Sequence, residues 1–186
     1  MIQNVFPHTF YSIFQAPNKN ELNAAIDKYG EEHIDNSEFD WGKECIIDRI
    51  PLQWSDWIDL LMPSLDLLGQ DFGKKFKFVM LDPWINYYKR GSYQEVHDHA
   101  LQDLACVYFA NNGKDFSQFI FTDRYSMSLQ HPVKQLIGYQ NLHGINYNAG
   151  DIIFFPGHAL HQVTPHNSDV IRKTFACNIM IEEVSG

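Results

Sequence analysis

Cysteine is scarce in this 186-residue chain: Cys45, Cys106 and Cys177 stand far apart and never as Cys-x-x-Cys. That argues against a disulfide-stapled scaffold and a cysteine-ligated zinc site, and it fits reduced thiols in a cytoplasmic protein. Positive charge is scarce too. Fourteen Lys and Arg against 23 Asp and Glu give a formal charge of −9, the wrong sign for gripping phosphodiesters, so no nucleic-acid partner is expected. No apolar run approaches a membrane span, and the first residues do not read as a basic-then-apolar signal peptide, so no membrane partner is expected either. Internal repeats and low-complexity segments are missing, which argues against solenoids and long linkers.

What the chain has in quantity is aromatic residues. Fourteen Phe, nine Tyr and four Trp within a 45% apolar composition suit one β-rich globular domain, residues 1–186, with an ample core. Residues 2–15 read as an entry strand. Asn18 to Lys28 carries Leu22, Ala25 and Ile26 at helical spacing, with Gly30 as the stop. Glu31 to Lys43 is acidic and aperiodic, a surface loop. Trp54 to Leu68 places Trp54, Trp57, Ile58, Leu61, Leu65 and Leu68 on one face, a stripe suited to packing on a sheet.

From Phe76 the period changes. Short aromatic-rich strands are expected at Phe76–Met80, Trp84–Tyr88, Gln94–His99, Leu104–Ala110, Phe116–Thr122, Gln135–Ile137, Ile152–Phe155, Gln162–Thr164 and Arg172–Ile181, separated by turn residues. Many short strands punctuated this way indicate a sandwich or barrel. The expected division is an entry strand and two supporting helices over residues 1–75, then a β core over 76–186 that carries the site.

Two stretches carry chemistry. Gly91-Ser92-Tyr93-Gln94-Glu95-Val96-His97-Asp98-His99 sets two histidines one residue apart, so in a strand both imidazoles project from one face and Asp98 from the other. Gly150 to His161 reads as turn, buried strand, Pro156-Gly157 break and then His161 opening another strand. Two histidines from one strand and one from another make a three-ligand face with open positions, which suits a catalytic Fe(II). His158 is a competitor to His161. Eleven residues past His161, Arg172 opens the last strand, with Thr174, Ala176 and Asn178 on its face. A buried guanidinium needs an anion, either a bound carboxylate or a structural acidic partner.

In order, Tyr88-x-x-Gly91, His97-x-His99, His161 and Arg172-x-Thr174 resemble the 2-oxoglutarate/Fe(II)-dependent oxygenases. Their pattern is His-x-Asp/Glu, a distal His, and an Arg about ten residues later. Trp84-x-Asn86, Val107-Tyr108-Phe109, Gly150-Asp151-x-x-x-Phe155-Pro156 and His161-x-Val163-x-Pro165 are similar to an uncharacterised, often phage-encoded group within that superfamily. The resemblance implies a mainly β protein with flanking helices, folded as a double-stranded β-helix (jelly roll). It implies an Fe(II)- and 2-oxoglutarate-dependent dioxygenase, acting as a hydroxylase, that couples decarboxylation to succinate with oxidation of a small molecule or side chain by O₂. The metal ligands would be His97, His99 and His161. Arg172 would hold 2-oxoglutarate, with Tyr88, Asn86 or Thr174 assisting. The location would be the cytoplasm, the host's if the chain is phage-encoded.

His99 stands where most of the superfamily has a carboxylate, and Asp103 is the alternative ligand. Tyr93, Tyr108 and Phe119 are candidates for the substrate side or for barrel packing. A cupin-type metalloenzyme using His97, His99, Asp103 and His161 is the second reading, and a non-catalytic jelly-roll binding protein the third. The other histidines, His8, His33, His131, His143 and His166, read as loop residues.

Overall fold

A computed structural model describes residues 9–33, 38–39, 45–99, 101–123, 132, 136, 138 and 140–185. In chain order its elements are β1 (Ser12–Gln15), α1 (Lys19–His33), β2 (Glu38–Phe39), β3 (Cys45–Ile46), β4 (Asp48–Pro51), α2 (Trp54–Phe72), β5 (Lys75–Tyr88) and β6 (Tyr93–His97), followed by β7 (Leu104–Phe109), β8 (Phe119–Thr122), β9 (Leu142–Gly144), β10 (Asp151–Pro156), β11 (His161–Val163) and β12 (Arg172–Ser185). They form two antiparallel sheets, a seven-stranded one in the order β1-β10-β7-β12-β5-β4-β2 and a five-stranded one in the order β3-β6-β11-β8-β9. Sequence neighbours are rarely sheet neighbours, as a jelly roll requires.

Strand parity divides the core in two. Ile85 and Tyr87 of β5, and Phe175, Cys177 and Ile179 of β12, face the helices, where they meet Leu22 and Ile26 of α1 and Trp57, Leu61, Leu65 and Leu68 of α2. Trp57 stacks on Phe175 at 5.1 Å between centroids. The opposite parity turns inward between the sheets: Tyr88, Phe109, Ile153 and Phe155 meet Phe119, Phe121 and Val163. Each such burial is worth about 1.5–3 kcal/mol, so helices and sheets together fix the large sheet that carries Arg172.

Several expectations need correction. Gly30 does not end α1, which runs on to His33. A Cβ at Gly30 would lie 1.6 Å from the Tyr87 hydroxyl, so the glycine is there for close approach of helix and sheet. Trp54 is exposed; the buried stripe of α2 begins at Trp57. The acidic stretch 31–43, expected as a loop, contributes the end of α1 and β2, and β3, β4 and β9 have no counterpart among the expected strands. Phe76–Met80 and Trp84–Tyr88 are one strand, interrupted in its pairing with β12 by a bulge between Ala176 and Asn178, opposite Asp82 and Pro83. Of the expected strand Gln135–Ile137 only Leu136 is described, and it is not in a strand: its N–H donates to Pro132 O (3.3 Å); the first eight residues lie outside the described residues.

Candidate metal and 2-oxoglutarate site

His97 closes β6 and His161 opens β11, and the two are direct partners across the five-stranded sheet, so both imidazoles rise from the same face. His99 lies just past β6, on a loop that the backbone holds in place. Its N–H donates to the Gly157 carbonyl (2.7 Å), the Gln102 N–H donates to the His99 carbonyl (2.8 Å), and the Gly157 N–H donates to Asp103 O (3.1 Å). A Cβ at Gly157 would sit 2.1 Å from Gln102 O and 2.6 Å from His99 O, so only glycine lets the Pro156-Gly157 turn meet this loop.

The result is a cluster in which one nitrogen from each of His97, His99 and His161 lies within 4.8 Å of the others. Tautomers are set by the backbone. His97 Nδ1 faces Glu95 O at 2.7 Å and His161 Nδ1 faces Ala159 O at 2.9 Å. A carbonyl only accepts, so both Nδ1 atoms carry the proton and both Nε2 lone pairs are left for a metal. Burial, then His97 and Arg49, push the His99 pKa down to about 4, against a small opposing pull from Asp98. Burial chiefly, with His97 adding, holds His161 well below the usual histidine range. At neutral pH these two imidazoles are uncharged, the form that ligates metals.

Facing the cluster are Trp84, Asn86, Tyr88, Arg172 and Thr174 of the large sheet, which line the same cavity. Arg172 is fully buried, its guanidinium 4.5 Å from the Tyr88 ring centroid and 5.5 Å from that of Phe109. Nε donates to the Tyr147 hydroxyl (3.0 Å), whereas Nη1 and Nη2 have no hydrogen-bond partner. Among the described residues the structural acid pair left open by the sequence is therefore absent, and a buried cation with two idle donors asks for a bound anion. Asn86 Nδ2 donates to Thr174 Oγ1 (3.2 Å), leaving a buried Oδ1 unpaired. Tyr88 donates to Gln94 Oε1 (2.5 Å).

Three histidine nitrogen donors, two of them of fixed tautomer, and an unsatisfied arginine on one cavity fit a divalent metal and an organic acid chelating it. The cavity's free volume is about 20 Å³, room for about one water, so a five-carbon diacid needs the lining side chains to part.

Asp103 is elsewhere. It is exposed, and its Oδ2 accepts the Ile181 N–H (2.7 Å). His158 is exposed and outside the cluster. Tyr108 turns to the helix side, where its hydroxyl lies 2.8 Å from Asn23 Oδ1 and 3.1 Å from Lys19 O. Tyr93 does not line the cavity; Phe119 does, stacked on His161 at 5.2 Å. His166 lies in a loop, as expected, and is fully buried there: Nδ1 accepts the Ser117 N–H (3.2 Å) and Nε2 donates to Val170 O (2.8 Å).

Residues 82–178, just over half the chain, match the family model described as "Putative 2OG-Fe(II) oxygenase". The chain belongs to that family. It is an Fe(II)- and 2-oxoglutarate-dependent dioxygenase that takes O₂ and a substrate of unknown identity. This oxygenase has solved structural neighbours at low identity. The α-ketoglutarate-dependent epimerase SnoN from nogalamycin biosynthesis is 12% identical, with a TM-score of 0.70 over 94% of this chain and 78% of its own. A prolyl-4-hydroxylase from Pseudomonas putida is 14% identical, with a TM-score of 0.62 over 93% of both chains. HygX from Streptomyces hygroscopicus, solved with nickel and 2-oxoglutarate, is 10% identical, with a TM-score of 0.63 over 92% of this chain and 83% of its own. At such identities the likeness shows the fold. No functionally curated protein matches the oxygenase in sequence.

Two participants escaped the sequence reading. Gln94 shares the cavity with His97 although three positions separate them, because a bulge in the β6–β11 pairing (His161↔His97, Val163↔Gln94) resets the alternation. Tyr147, between two asparagines in a loop, carries no local signal.

Proposed function

We propose that His97, His99 and His161 ligate Fe(II) through their Nε2 atoms and that Arg172 binds the distal carboxylate of 2-oxoglutarate end-on through Nη1 and Nη2. The fully buried, half-satisfied guanidinium facing a three-histidine cluster carries this reading. When bound, iron and 2-oxoglutarate supply the chemistry: O₂-dependent oxidation of substrate with release of CO₂ and succinate. The chain's part is to bind, orient and exclude water. Glu95 O and Ala159 O hold two ligands in the metal-binding tautomer. Tyr147 occupies Nε and so aims the terminal donors of Arg172, while Thr174 and Asn86 line the cavity beside it. Phe119 and Phe155 pack against His161 at 5.2 and 4.9 Å and keep that ligand dry. The free, buried thiols of Cys106 and Cys177 support a reducing, cytoplasmic setting, and the charge of −9 supports a substrate that is not nucleic acid.

Anaerobic addition of Fe(II) and 2-oxoglutarate should give the visible charge-transfer band of the chelate. Arg172→Ala should lose the band and keep the metal; His161→Ala should lose both. Tight metal binding without a band in the native protein would sink the reading. For the ligand set, His99→Ala should abolish Fe(II) binding and Asp103→Ala should not, and the reverse would overturn the assignment.

A further inference from the structure

Gln94 is a buried polar side chain whose hydrogen bonding is half complete. It stands on β6 three positions before His97, and the β6 bulge turns both to one cavity. Only 8% of it is exposed. Its Oε1 accepts the Tyr88 hydroxyl (2.5 Å), whereas Nε2 donates to no described residue. A carboxamide has one accepting end and one donating end, so with Oε1 taken the two N–H groups are what remains. Leaving such a donor buried and unpaired is costly, and a ligand oxygen in the cavity removes that cost.

The Tyr88–Gln94 bond joins the two sheets at the cofactor's anchor. Tyr88 of β5 is the direct cross-strand partner of Arg172 of β12, and its ring carries the guanidinium, 4.5 Å from Cζ to the centroid. Gln94 belongs to the facing five-stranded sheet. One amide thus shares a cavity with a metal ligand of its own strand and with the arginine of the opposite wall. Oxygen counting gives this position its meaning. 2-Oxoglutarate has five oxygens and, as a dianion, no proton to donate. Chelation takes two of them and the Arg172 fork two more, so one oxygen is left to be met by a donor. Asn86 Nδ2 is spent on Thr174, whereas Gln94 Nε2 is idle.

We propose that Gln94 is a further binding residue for the cofactor: Nε2 donates to an oxygen of 2-oxoglutarate that neither the metal nor Arg172 takes, while Oε1 holds the Tyr88 hydroxyl. The Tyr88 bond keeps the donating end of the amide turned to the cavity. The aromatic platform of Arg172 and the diacid are then tied together through one uncharged side chain. The inference rests on the cofactor assignment above.

The test uses the full chain without O₂. In nitrogen-edited proton spectra of the Zn(II)-loaded protein, the Gln94 side-chain amide pair is identified by its loss in Gln94→Glu. Adding 2-oxoglutarate should move that pair downfield, as donation to an oxyanion requires. Calorimetry on the Mn(II)-loaded protein then separates the two ends of the amide. Gln94→Met should weaken 2-oxoglutarate binding about tenfold, the size of a hydrogen bond to a charged group, with Mn(II) affinity unchanged, which also shows that the variant is folded. Gln94→Glu still accepts from Tyr88 but sets a carboxylate against the diacid, and should weaken binding further. Made on top of Tyr88→Phe, Gln94→Met should cost about the same factor again. If that cost vanishes, Gln94 acts only by bracing Tyr88, and the proposal is overturned. Amide protons that stay in place when 2-oxoglutarate binds, an unchanged affinity in Gln94→Glu, or loss of Mn(II) binding in Gln94→Met would overturn it as well. Each of these outcomes leaves the cofactor reading standing. Failure of 2-oxoglutarate to bind the metal-loaded native protein would remove the cofactor reading and this one with it.

Discussion

Arg172 is an unusual residue: fully buried, ringed by the aromatics Tyr88, Phe109 and Tyr147, and hydrogen-bonded only at Nε. Truncating one partner of a buried charge pair costs about 2–5 kcal/mol. Arg172→Ala should therefore weaken 2-oxoglutarate binding roughly 30-fold or more, measured by calorimetry on the Mn(II)-loaded protein, with metal affinity kept. Tyr147 acts one step further out. In Tyr147→Phe the ring still stacks on Phe109, 3.9 Å away in the native protein, but Nε loses its acceptor and the guanidinium is free to turn. The loss should be on the order of tenfold in 2-oxoglutarate affinity, the size of a hydrogen bond to a charged group, again without change in metal affinity. An unchanged affinity would show that the aromatic ring alone aims Arg172. Both residues sit apart from any sequence-local cue to their partners. Arg172 could be singled out because a charge heads an apolar strand, whereas Tyr147 could not, because its role exists only once its loop folds over β12.

At the scale of elements, two glycines mark where backbones touch. Gly157→Ala would drive a Cβ into the carbonyls of Gln102 and His99, both backbone atoms that cannot step aside, so the His99 loop must move. The expected cost is about 1–3 kcal/mol of stability, as for overpacking, together with a metal-affinity loss larger than for an alanine at a remote site. Thermal melts and metal titration would show the two effects separately. Gly30→Ala would instead strike the Tyr87 hydroxyl, which donates to Ile26 O (3.3 Å). A Tyr87→Phe change removes the nearest clashing atom, so the double variant should be more stable than the two single losses added predict. Additive losses would mean that the helix shifts instead.

These contacts also explain what could be read without a structure. The strands around the site were legible, because β6, β10, β11 and β12 each carry a local pattern bounded by turn residues. The His97-x-His99, His161 and Arg172 set was legible for the same reason. Gly30 suggests a helix stop that the structure does not show, because a glycine needed for close packing looks the same in sequence as one needed for left-handed backbone. The β6 bulge hid Gln94, and the bulge at Asp82 and Pro83 made one strand look like two. Such irregularities reset the two-residue period, and only the partner strand reveals them.

At the scale of the whole molecule, the site is divided between the two sheets. His97 and His161 belong to the five-stranded sheet, and Arg172 to the seven-stranded one. Under the proposed ligation, metal alone would tie His97 and His161 to the His99 loop, and a chelating diacid reaching Arg172 would tie the sheets to each other, which it could do only with the metal in place. Each ligand that binds only the native state stabilises by mass action, about 2.7 kcal/mol at a hundredfold excess over Kd. For a chain of this size that is a rise of roughly 5–10 °C in melting temperature. Scanning fluorimetry with Mn(II) should therefore show a rise for metal, little for 2-oxoglutarate alone, and a rise for both together that exceeds their sum. In Arg172→Ala the metal increment should persist and the surplus vanish. If 2-oxoglutarate alone stabilised the protein as much as it does with metal, the diacid would be binding on one sheet only, and the bridge between sheets would be wrong.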